Sequence, residues 1–187
     1  IIGRHPSDKD APSGKFLNGI TIADSNIDVQ NNFSAFGLPS KGGKVKNTAG
    51  VNVKDSNVIA KSMRIYGVPG EFTQYHQGNI TDKSLIDILD ESNGVNGNNI
   101  GLWLNNSKFF TRDGDLVVIG VGAFGEKAGH GVWLDQSTKL TAKNGNLEII
   151  GVAGFGASEM HGVLIQGSHL LTDMDINIFG DSNLSET

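Results

Sequence analysis

The chain contains no cysteine in 187 residues, so neither a disulfide framework nor a thiolate metal site is open to it. Proline occurs only 4 times, and no apolar run approaches the roughly 20 residues that a membrane-spanning helix requires. A cationic surface is lacking too. With 15 Lys and Arg against 20 Asp and Glu, the formal charge is −5, which argues against nucleic acid or an anionic membrane as a partner. The first residues include no Met and no charged-then-apolar leader, so the chain is expected to be a processed piece or a fragment of something longer. Glycine, by contrast, is abundant at 26 residues, and 37% hydrophobic content is too high for disorder. One turn-rich domain is expected, long enough to bury roughly 70% of its unfolded surface.

Internal repetition decides the fold. The pattern Gly, aliphatic, any, aliphatic, two residues, Ser recurs as "GITIADS" at 19, "GVNVKDS" at 50, "GLWLNNS" at 101, "GVWLDQS" at 131 and "GVLIQGS" at 162. A degenerate copy, "GEFTQYH" at 70, places Glu71 at the first aliphatic position and His76 at the Ser. Coil starts at 19, 50, 70, 101, 131 and 162 then give spacings of 31, 20, 31, 30 and 31 residues. The basic unit is thus near 20 residues, with an insertion of about ten always at the same place.

Within each unit the apolar period is two, which indicates strands. In the coil from 131, Val132 and Leu134 lie in a first strand, Leu140 in a second and Leu147 with Ile149 in a third. Their expected equivalents are Leu102, Leu104, Phe110, Leu116 and Val118 before, and Val163, Ile165, Leu171, Ile176 and Ile178 after. Three short strands per coil, with like residues stacked, predict an all-β, single-stranded parallel β-helix of about six coils over 19–181. At one strand spacing of about 4.8 Å per coil the rod would be roughly 25 to 30 Å long. A right-handed coil is expected, because 20 to 31 residues exceed the six-residue sides of left-handed hexapeptide solenoids. Residues 1–18 would cap the first coil, and 182–187 would form a short tail. The glycines closing the third strand, Gly37, Gly67, Gly120, Gly151 and Gly180, are expected to supply positive φ at a corner, with Asp90 in that place in the coil from 70.

Several residue sets invite a chemical reading. Ser25, Ser56, Ser107, Ser137 and Ser168 form a repeated hydroxyl row, but no His or acid recurs beside them to activate a nucleophile, so a corner ladder of hydrogen bonds is expected. The opening "IIG" and the late "GDS" do not make a trypsin-like protease: Ser182 lacks a following Gly-Gly and no His occupies a matching upstream motif. Asp113 with Asp115 and Asp173 with Asp175 recur at one corner, in "RDGDL" and "TDMDI". Turn chemistry is the expected role, with adventitious Ca²⁺ the one cofactor such hard oxygen ligands would take. The nonapeptide of calcium-dependent toxin solenoids is absent. His130 and His161 end equivalent insertions and should stack one strand spacing apart, a metal pair only if a third ligand joins them.

The stretch "GVWLDQSTKLTAKNGNLEIIGVAGFG" and its neighbours over 101–181 resemble the repeats of filamentous-haemagglutinin-like large adhesins and exoproteins of Gram-negative bacteria. The resemblance covers 19–181 and is sharp from 101 onward; the family's secretion motifs are not visible in residues 1–18. It implies a shaft segment of an extracellular or cell-surface fibre, without enzymatic activity, used in adhesion, biofilm or cell contact. Open strand edges at both ends would lead to head-to-tail self-association or to continuation in a longer solenoid. The alternative class is a carbohydrate-active β-helix enzyme or tailspike-like polysaccharide-binding module, similar in architecture to pectin-degrading enzymes. That class requires three or more carboxylate or basic groups converging on one groove.

In "GLWL" and "GVWL" the aliphatic residues face the core, so Trp103 and Trp133 must point outwards. The outward column reads Thr21, Asn52, Phe72, Trp103, Trp133 and Leu164, an apolar stripe over its last four members. Phe124 and Phe155, in register within two insertions, would either fold over the Trp pair as a satellite core or join it in a binding stripe for a sugar face, a host or neighbouring cell surface, or a neighbouring fibre.

Overall fold

A computed structural model describes residues 1–4, 16–38, 47–67, 98–122, 128–154 and 159–182. Among these there is no helix; every regular element is a short strand, and every pairing between strands is parallel. The chain winds as a three-sided β-solenoid. The first side stacks Phe16–Ala23, Asn47–Lys54, Asn98–Asn105, Val132–Asp135 and Val163–Ile165. The second stacks Asn26–Asp28, Asn57–Ala60, Lys108–Thr111, Lys139–Ala142 and His169–Thr172. On the third, Ile2–Arg4 precedes Phe33–Leu38, Met63–Gly67, Leu116–Val121, Leu147–Val152 and Ile176–Asp181. Two sides are therefore five strands deep and the third is six.

The alternation of apolar and polar residues builds this directly. Inward positions of all three sides meet in one core, from Ile20 and Ile22 through Val51, Leu102, Leu104, Leu134 and Leu140 to Leu147 and Ile149. Each such side chain contributes about 1.5 to 3 kcal/mol by leaving water. At the corner between first and second sides, Asp24, Asp55, Asn106 and Gln136 take positive φ, a conformation that Asn and Asp adopt more readily than other side chains. Gly167 occupies that corner in the last coil, at φ 57.

The expected coil start at 70 does not hold. Its residues lie outside those described, yet Asn47–Lys54 bonds directly to Asn98–Asn105, with Asn52 opposite Trp103, so no strand stands between the coils from 50 and 101. A strand has only two edges, and both edges of each of these are occupied. The glycines give the same register independently. A Cβ on Gly37 would lie 1.9 Å from the carbonyl oxygen of Gly50, and one on Gly67 would lie 1.9 Å from that of Gly101. Gly120 meets Gly131 and Gly151 meets Gly162 in the same way.

Those contacts also correct the reason for the glycines. Gly37, Gly67, Gly120, Gly151 and Gly180 do not take positive φ; among the described glycines only Gly114 and Gly167 do. The first four are glycine because the strand leaving one coil crosses the backbone entering the next with no room for a side chain. Residues 39–46, 68–97, 123–127 and 155–158, where the insertions are expected, lie outside those described, and the residues that resume after the last three of these stretches are 98, 128 and 159. These pair with one another, Asn98 with Ala128 and Ala128 with Glu159.

The second side is displaced by one residue from expectation. Leu140 aligns with Phe109 and Leu170, not with Phe110 and Leu171, because the corner of the coil from 131 holds one extra residue. Gln136 and Ser137 both take positive φ there, and the chain resumes register at Lys139. Phe109 is accordingly buried, whereas Leu171 is exposed.

The two ends differ. In the first coil Ile20, Ile22 and Phe33 are buried. In the last, the core positions Ile165, Ile176 and Ile178, stacked on Leu134, Leu147 and Ile149, are 37%, 43% and 47% exposed.

Candidate functional site

Five outward residues of the first side align in one column: Thr21, Asn52, Trp103, Trp133 and Leu164. The indoles of Trp103 and Trp133 stack with ring centroids 5.1 Å apart and planes 8° from parallel. Below Trp103 the column steps down to Asn52 and Thr21, which carry no ring. This step opens a groove of 530 Å³ lined by Asn18, Thr21, Asn52, Lys54, Trp103, Asn105 and Gln136. Its polar walls are partly fixed in place. Asn18 Nδ2 donates to Thr21 Oγ1 at 3.0 Å and its Oδ1 accepts from the Ala49 amide, Asn105 Nδ2 donates to Asp135 Oδ2 at 3.1 Å, and Lys54 Nζ lies 3.6 Å from the Asp55 carboxylate.

The two Trp residues are not equivalent. Trp133 Nε1 donates to Gln166 Oε1 on the next coil at 3.1 Å. The corresponding residue above Trp103 is Asp135, which Asn105 engages, and Trp103 Nε1 is buried without a partner. Such an unsatisfied donor costs about 1 to 3 kcal/mol.

On the insertion side, His130 meets Trp133 edge to face at 5.4 Å and stacks on His161 at 5.2 Å. His130 is buried, and its Nδ1 accepts from the His161 amide at 3.3 Å, so its single proton sits on Nε2. Burial, reinforced by His161 and opposed by Glu159, lowers its pKa to about 4. The His pair gains no third ligand: among the described residues no three His, Asp or Glu gather.

The hydroxyl row runs through Ser25, Ser56, Ser107, Thr138 and Ser168. Ser25 N–H donates to Ser56 Oγ at 3.1 Å, Ser56 N–H to Ser107 Oγ at 3.1 Å and Ser107 N–H to Thr138 Oγ1 at 3.5 Å. Each hydroxyl donates in turn to a carbonyl of its own corner. Ser137 stands outside the row; the extra corner residue puts Thr138 in its place, and Ser137 is exposed.

The acidic pairs are engaged in turns. Asp115 Oδ1 accepts from the Asn146 amide at 2.8 Å, Asn146 Oδ1 from the Asp175 amide at 3.3 Å and Asp173 Oδ2 from the Asn144 amide at 3.4 Å. Asp113 belongs to the same corner. These carboxylates follow the edge of the stack and do not converge on the Trp103 groove, which they do not line.

Of the expected stripe, Trp103, Trp133 and Leu164 are brought together, while Phe72, Phe124 and Phe155 lie outside the described residues. Phe72 also loses its place between Asn52 and Trp103, which pair directly. The groove residues Lys54, Asn105 and Gln136 were not singled out in the sequence, although Lys54 and Asn105 stand two positions after the outward column and so face the same way. A second outward column was missed on the third side, where Phe36, Tyr66, Ile119, Ile150 and Phe179 align and Phe36 stacks on Tyr66 at 4.8 Å. Compared with protein-family models, curated proteins and solved structures, the chain matches none, and the chemistry of the site is read from its own geometry.

Proposed function

We propose that this chain is a structural segment of an extracellular bacterial fibre or adhesin, in which solenoid coils continue end to end and the flanks face a cell or surface. The observation that carries the reading is the last coil. Ile165, Ile176 and Ile178 present core positions to solvent, and among the described residues no strand pairs with the outer edge of Val163–Ile165, His169–Thr172 or Ile176–Asp181. An exposed apolar end with unpaired strand edges is a template for another parallel coil. The repeats resembling filamentous-haemagglutinin-like adhesins support the same assignment, as does the uniformity of the coils. The alternative, a carbohydrate-active β-helix enzyme, is weakened by the engagement of Asp115, Asp173 and their neighbours in turn backbone bonds.

For the chain as an isolated molecule, the available continuation is a second copy placed head to tail. Sedimentation velocity over a concentration series should show association, and electron microscopy should show rods longer than the single solenoid. Ile176→Lys with Ile178→Lys, at positions already partly exposed, should leave the fold intact and abolish the association. A strictly monomeric particle at high concentration would remove the basis of the proposal.

A further inference from the structure

The flank of the first side carries a site that does not depend on stacking at the C-terminal end. We propose that the step below Trp103 is a binding site for a neutral oligosaccharide, with one pyranose ring laid against the face of the indole turned towards Asn52. One face of Trp103 is covered by Trp133, 5.1 Å away, while its neighbour on the other side is Asn52. The stack therefore ends on an aromatic surface set over a polar floor. A pyranose has the matching chemistry: an apolar C–H face that lies on an aromatic ring, and equatorial hydroxyls that both donate and accept.

Side-chain amides suit those hydroxyls, because each offers donors and an acceptor together. The amides of Asn52 and Gln136 both line the groove, and neither makes a side-chain hydrogen bond among the described residues. Asn105 and Asn18, by contrast, are held by their own partners and shape the walls. The groove volume, 530 Å³, lies within the roughly 300 to 1,000 Å³ of small-molecule sites.

Charge selects the class of sugar. Among the described residues the only cation lining the groove is Lys54, paired with Asp55, and the chain carries a net charge of −5, which disfavours an acidic glycan. Trp103 also keeps its N–H buried without a partner, whereas Trp133 in the same frame has one. Stability alone gives no reason to retain an indole at that cost; a surface needed for a ligand does.

The chain has only 2 Trp, stacked on each other, so their emission reports on this site directly. Maltotetraose, cellotetraose and chitotetraose are titrated against the intact chain by tryptophan fluorescence and saturation-transfer NMR. At least one should give a saturable emission shift, with transfer concentrated on the protons of one ring. Asn52→Trp would extend the stack and fill the step; it should weaken binding at least tenfold, read by calorimetry, with no loss of thermal stability. Trp103→Leu, which keeps an apolar outward residue but removes the platform, should weaken it equally. The proposal fails if none of the three sugars binds, if binding survives both substitutions, or if only acidic oligosaccharides such as oligogalacturonate bind. Each result is independent of whether the chain forms rods.

Discussion

At Gly67 a single methyl group would collide with the next coil, since its carbon would sit 1.9 Å from a backbone oxygen that cannot move without opening the solenoid. Gly67→Ala should therefore cost at least about 3 kcal/mol and lower Tm by roughly 6 to 12 °C. Gly180→Ala is the matched control. Its added carbon would come no closer than 3.2 Å to a neighbour, a tight contact but not a collision, so Tm should fall far less. His130 offers a second test at this scale. Its folded-state pKa of about 4 lies below the ordinary histidine value of 6.5, so between those values the unfolded chain binds more protons than the folded one. Stability should be complete above pH 6.5 and fall by about 2 to 3 kcal/mol as the pH drops through 4. In denaturant titrations across that range, His130→Gln should flatten the decline, and an unchanged slope would exclude His130 as its source.

The second-side strand Lys108–Thr111 is four residues long, and a shift of one residue exchanges its buried and exposed faces. The extra residue at the Gln136–Ser137 corner makes that shift, and two substitutions read it. Phe109→Ala should destabilise by about 3 to 5 kcal/mol, as for a fully buried aromatic residue, whereas Phe110→Ala on the outward face should cost much less. Equal costs would return the core to the register expected from aligning Ser107 with Ser137. The hydroxyl row gives a parallel comparison. Thr138→Ala removes the acceptor for the Ser107 amide and should cost about 1 to 3 kcal/mol, while Ser137→Ala should be close to neutral.

Across the whole molecule, stability should be graded along the axis because each coil contacts only its neighbours. Amides of the central coils, around Leu102–Leu104 and Leu116–Val118, should exchange with solvent only on global unfolding. Those of Val163–Ile165 and Ile176–Asp181, the outermost described strands of their sheets, should exchange faster at low protein concentration and become protected as it rises. Uniform protection from end to end at low concentration would mean that the last coil is covered within a single molecule.

The solenoid was legible in the sequence. Period-two alternation fixed inward and outward positions, and a repeat near 20 residues fixed three strands per coil, because both follow from covalent geometry and burial acting locally. It also placed Trp103 and Trp133 outside and side by side. Tertiary structure decided everything that depends on which coil lies next to which. The motif at 70 fits the repeat as well as a degenerate copy should, and only the bonding of Asn47–Lys54 to Asn98–Asn105 removes it from the stack. The same contact places Asn52 beneath Trp103 and so creates the groove. Neighbours across coils are separated by 30 to 51 residues and are chosen by hydrogen-bonded edges and glycine crossings, interactions that no local pattern encodes.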